Sequence, residues 1–107
     1  MNAEFVDALL KYEDAIVDDY DQYQGPDKDE IKQKMFEEFK GSVCHSYGRK
    51  YVKVLQGNGV HSFIVAGKDD KFSYGDILKA ATWATPSRNF ARGNIFGTYL
   101  ACWTGAR

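Results

Sequence analysis

At 107 residues, with 44% hydrophobic and 15% aromatic side chains, the chain has enough core-forming residues to fold and is too short for more than one ordinary domain. A formal charge of −1 excludes a uniformly basic or acidic protein, and two cysteines are too few for a disulfide scaffold. The average charge hides a division. Residues 1–41 hold twelve acids and five lysines, a balance of −7, whereas residues 42–107 hold three acids and nine bases, a balance of +6. After Asp76 no acid follows, only Lys79, Arg88, Arg92 and Arg107. Such a division suits an anionic ligand at the basic end, or attraction between the two halves within one chain or across a dimer. No apolar run approaches the ~20 residues that span a bilayer, and the acidic first residues do not read as a signal peptide. The expectation is a single cytoplasmic domain, an acidic 1–41 part followed by a basic 42–107 part, with no membrane partner.

In chain order, Phe5, Leu9, Tyr12, Ile16, Tyr20 and Tyr23 recur every three or four residues and draw one apolar stripe along a helix. Gly25 ends that run, and Pro26 suits the first turn of a second helix, with Asp27, Asp29 and Glu30 near its N-terminus. The second helix carries Ile31, Met35, Phe36 and Phe39, and Gly41 is its expected stop. The period then changes. "RKYVKVLQ" and "VHSFIVA", separated by "GNG", read as a β-hairpin with a three-residue turn. "GKDDKF" reads as a solvated turn, Ile77–Ala81 as a further strand, and "NIFGTYLACW" as a closing strand. Helical hairpin first and antiparallel sheet after gives an α+β fold.

The segment "TWATPSRNFARGNIFG", residues 82–97, joins arginines to aromatic rings with no acid. Thr85-Pro86 suits the start of a short helical turn, which would place Arg88 and Arg92 four apart on one side as a phosphate clamp. Trp83, Phe90 and Phe96 offer flat surfaces for a base, and Asn89 or Asn94 a hydrogen bond to a base edge or ribose. Residue types alone leave open a loop whose aromatics are core and whose arginines pair with the acidic helices. Enzyme patterns are missing: there is no G-x-S-x-G, Walker loop, H-E-x-x-H or strand-linked G-x-G-x-x-G. Cys44-His45 and His61-Ser62 are sequence neighbours, so on a strand each pair is expected to face opposite ways. The two histidines and two cysteines lack metal-ligand spacing, and the cysteines are expected to be buried thiols. No catalytic residue, metal or cofactor is assigned.

From about Gly48 onward, "GRKYVKVLQGNGVHSFIV", "GDILKAATW" and "W…P…R…RGN" resemble a family of small tailed-phage proteins. The arginine pair is similar to that of the Thoeris anti-defence sponge group. The resemblance implies a homo-oligomeric, non-enzymatic protein that sequesters a cyclic ADP-ribose-type or cyclic oligonucleotide signal. It also implies phosphate contacts at Arg88 and Arg92, a base or ribose contact at Asn94, and an aromatic platform at Phe63 or Trp83. Arg49 and Lys53 would complete a basic rim. Two alternatives stay open: a module binding single-stranded nucleic acid, and an inhibitor that docks on a protein through its acidic helices.

Overall fold

The computed structural model describes residues 2–107 and has the α+β order expected. Helix α1 spans Ala3–Gln24 and α2 spans Glu30–Ser42. Strands β1 (Val43–Tyr47), β2 (Tyr51–Gln56), β3 (Gly59–Val65) and β4 (Ile77–Lys79) form an antiparallel meander in chain order.

Asn2 caps α1 by accepting the Phe5 N–H at 2.8 Å, and Gly25 ends it at φ 86°, a conformation that favours glycine. The stripe is largely as spaced: Phe5, Leu9, Tyr12, Ile16 and Tyr20 are buried against Val52, Val54, Ile64 and Ile77 on one face of the sheet. Tyr23 does not belong to it and is 69% exposed, its ring tilted against Trp103 at 4.9 Å. In α2 the expected start is also displaced. Pro26 lies in the connection, and Asp29 caps the helix by accepting the Lys32 N–H at 2.8 Å. Gly41 does not stop it, since helical structure runs through Ser42. Of its four expected core residues only Phe39 is buried, stacked on Tyr20 at 4.2 Å. Ile31 and Met35 face solvent.

The β2–β3 turn has two residues, not three, because Gln56 pairs with Gly59. Gly57 at φ 61° followed by Asn58 at negative φ is the pattern of a type II′ hairpin turn. The expected strand over Asn94–Trp103 is absent. Asn94 instead reverses the chain: Gly97 N–H donates to Asn94 O at 3.0 Å and Asn94 N–H to Thr98 O at 3.1 Å. The remaining tail returns across α1, where the Trp103 ring packs edge-on to Tyr20 and its main-chain N–H donates to Asp19 Oδ2 at 2.9 Å. Nor is there a helical turn at Thr85–Ala91. Residues 86–94 run antiparallel beside β4, with Ser87 N–H on Lys79 O at 2.7 Å and Arg92 N–H on Ile77 O at 2.7 Å. Pairing with a free strand edge satisfies more backbone groups than an isolated turn would.

The sheet therefore has two unlike faces. The helices close one. On the other, Phe63, Val65, Leu78 and Phe72 form a smaller buried apolar cluster, against which Ala80 and Ala91 pack. Among the described residues no helix is long and apolar enough to cross a membrane.

Candidate functional site

Alternation along β2 and β3 sends Tyr51, Lys53 and Phe63 to the outer face, and Lys53 sits directly opposite Phe63 in the register. Above them the chain turns tightly at Thr82. Its Oγ1 accepts from Ala84 N–H at 3.1 Å and Thr85 N–H at 3.0 Å, and Ala81 and Thr82 N–H both donate to Thr85 O. This turn holds Trp83 out from the surface, 57% exposed, with Lys53 Nζ 4.9 Å from the ring centre and 6.0 Å from Phe63. Beside it lies a cleft of about 340 Å³ lined by Tyr47, Arg49, Lys50, Tyr51, Lys53 and Phe63 among others, with no acidic side chain. Of the residues the sequence pointed to, Arg49 and Lys53 line this cleft and Trp83 stands beside it, whereas Phe63 is buried in the apolar cluster at 1% exposure and offers no open face for a base.

Arg88 and Arg92 are not brought together. With the helical turn gone, each takes a separate environment. Arg88 makes a two-pronged pair with Asp69 at 2.8 and 3.1 Å and donates to the Tyr51 hydroxyl at 2.6 Å. Asp69 is not a solvated turn residue. Its side chain is fully covered, accepts the Lys71 and Phe72 N–H groups at 2.7 and 3.0 Å, and also pairs with Lys50 at 3.1 Å. The Arg88 fork, then the Lys71 amide, hold its carboxyl well below the usual carboxylate range. The same pair raises the Arg88 pKa. Arg88 thus braces the loop from "GKDDKF" against β2, which leaves its fork occupied.

Arg92 instead stacks on Phe90 at 4.0 Å and lines a second cavity of about 520 Å³ with Lys79, Arg107 and His61. Asn94 has all its amide atoms engaged: Nδ2 donates to Asp76 and to Tyr74 O at 2.9 Å, and Oδ1 accepts from Phe96 N–H at 2.8 Å. Asn89 and Phe90 are exposed. Phe96 lies away from the cleft, stacked on Tyr74 at 5.6 Å.

His61 and Ser62 depart from strict alternation. Val54 pairs with Ser62 and Leu55 with Val60, so His61 is an extra residue in a β-bulge and both side chains turn inward. Their atoms meet at 2.9 Å rather than facing apart. His61 Nε2 donates to Cys102 O at 2.6 Å, which leaves Nδ1 as acceptor for the Ser62 hydroxyl, while Tyr12 O–H donates to Ser62 Oγ at 2.8 Å. Burial lowers the His61 pKa and raises that of Tyr12. Ser62 has no exposed surface, so this chain of polar groups seats the sheet on α1 without meeting solvent. Cys44 is exposed and Cys102 half-buried, both as free thiols, against the expectation of burial. Cys44 lies on the outer face, whereas His45 faces α1 and holds both Glu13 oxygens at 2.8 and 3.0 Å. Among the described residues no three His, Cys, Asp or Glu side chains converge to hold a metal ion.

No protein family, curated protein or solved structure matches the chain.

Proposed function

We propose that this protein binds an anionic nucleotide on the outer face of its sheet and retains it without turnover, acting by sequestration. The observation that carries this reading is the cleft beside the exposed Trp83 ring, where Lys53 lies over that ring, Arg49 joins the lining and no acidic side chain does. A base stacked on an aromatic platform gains roughly 1–3 kcal/mol. Lys53 and Arg49 place positive charge beside that platform for the phosphates. The lining contains no carboxylate and no imidazole to move a proton, which supports retention over hydrolysis. The phage counter-defence role belongs to the same proposal, and rests on the sequence resemblance. The ligand it implies is a cyclic ADP-ribose isomer or a cyclic oligonucleotide. A sponge of this kind depends on tight binding and a slow off-rate. Self-association is part of the proposal, and β1, paired only with β2, is the free edge of the sheet.

The test is a thermal-stability panel of cyclic nucleotides, ADP-ribose isomers and short single strands. A ligand at about a hundredfold over its Kd adds roughly 2.7 kcal/mol. The bound compound is then released by heat and analysed. The proposal expects it back chemically intact, and a cleaved product would replace the sponge with a phosphodiesterase.

One observation favours a second reading. A trough lined by Val60, Ala80, Thr82 and Trp83 runs from the aromatic platform toward the Arg92 cavity, which Val60 and Ala80 also line. A track of this kind suits a single strand, and such binding would weaken steeply with salt as several counterions are released. Stabilisation by single strands alone would establish that reading instead.

A further inference from the structure

The cavity at the other end of that trough has a different chemistry. It encloses about 520 Å³ between the β3–β4 edge and residues 104–107, within the range of small-molecule sites. Lys79, Arg92 and Arg107 line it, and no Asp or Glu side chain does. Among the described residues none of these three cations belongs to an ion pair, although Arg88, four residues from Arg92, is fully paired. Three unneutralised cations around one cavity repel one another, and an anion placed among them would offset that cost.

Arg92 also carries an unmet donor of its own. Its Nε is buried and has no hydrogen-bond partner. Orphaned buried donors are rare in folded proteins, and leaving one unmade is costly, more so on a charged group. Main-chain pairing holds the residue in place, since Arg92 N–H donates to Ile77 O at 2.7 Å and Ile77 N–H to Gly93 O at 2.8 Å. The Phe90 ring lies 4.0 Å from the guanidinium carbon and restricts where that group can go.

We propose that this cavity is a second anion site, separate from the Trp83 cleft, which takes the phosphate groups of a small phosphorylated molecule. Two guanidinium forks and an ammonium match an anion with several negative oxygens better than a single carboxylate. Recognition here is by charge and fork geometry. No aromatic side chain apart from His61 lines the cavity, and His61 already spends Nε2 on Cys102 O.

Inorganic pyrophosphate is the probe. It is titrated into the full chain at constant ionic strength, with acetate as the matched control, and read by melting temperature and calorimetry. The expected result is stabilisation by pyrophosphate and not by acetate. Arg92→Gln and Lys79→Gln should each weaken binding tenfold or more, while Lys53→Gln should leave it unchanged. Lys79 is exposed, so its variant decides the question even where Arg92→Gln fails to fold. Equal effects of pyrophosphate and acetate, or wild-type affinity in Lys79→Gln, would overturn the site. Trp83→Ala separates the two proposals: it should cost nucleotide binding in the aromatic cleft and spare pyrophosphate.

Discussion

The two faces of the sheet are built on opposite economies of charge. Against α1, the apolar stripe from Phe5 to Tyr20 fills the interface, and its few polar groups are closed into the Tyr12–Ser62–His61 chain and the Glu13–His45 contact. The outer face has a small apolar cluster, a braced loop and the cations and exposed ring of the Trp83 cleft. Between the two arginines of the 82–97 segment the contrast repeats on a smaller scale. Arg88 is held on both prongs by Asp69, and Arg92 keeps a buried Nε without a partner. Satisfied polar groups stabilise the fold, whereas unsatisfied ones positioned by it mark where a ligand is expected.

Substitution should expose the contrast most strongly on the helix face. Phe5 has no exposed surface, and Phe5→Ala should cost about 3–5 kcal/mol in denaturant unfolding, through lost burial and the cavity left behind. A cost below ~1 kcal/mol would mean that the helices are not the main support of the sheet.

Acidification should weaken both faces, in different windows. Burial lowers the His61 pKa, so between the unfolded value near 6.5 and its lower folded value the unfolded chain binds more protons. Stability therefore decreases as the pH is lowered through that window. Asp69 follows the same sign at lower pH: its contribution is present above about 4 and is lost as pH falls toward its depressed folded pKa. Stability measured from pH 8 to 3 should therefore fall in two stages, and Asp69→Asn should remove the lower one.

Tyr12→Phe should cost less, about 0.5–1.5 kcal/mol, because Ser62 keeps its bond to His61 when the phenol is removed. Trp83→Ala should change stability least, by about 0.5 kcal/mol or less, since the ring is mostly exposed. Its effect belongs to binding, where a lost stacking platform should weaken affinity by roughly 1–3 kcal/mol. A large loss of stability in Trp83→Ala would assign the ring to the core and undercut the contrast between faces.

The sequence was most legible where a period repeats. Five of six residues in the α1 stripe pack as spaced, and alternation located β2 and β3. It failed where tertiary pairing overrode a local signal. Thr85-Pro86 has the residues to start a helix, yet β4 offered an edge, and residues 86–94 took it. The two arginines thereby lost the shared helical side that the clamp required. The bulge at His61 is likewise a product of strand pairing, and no local pattern announces it. Of the aromatic-basic segment 82–97, Trp83 stands exposed beside the outer cleft and Arg92 lines a separate cavity. The partner of Arg88 was hidden in "GKDDKF", where a pair of aspartates between lysines gives no sign that one is covered.

The central claim is that a nucleotide stacks on Trp83 beside Lys53, and Trp83 reports on this directly. Fluorescence is measured in a Trp103→Phe background, so that Trp83 is the remaining tryptophan. Titration with the nucleotide that stabilises the protein should quench the emission in step with binding, and Lys53→Gln should raise the Kd about tenfold or more. Binding that leaves Trp83 emission unchanged and is indifferent to Lys53→Gln would contradict the account.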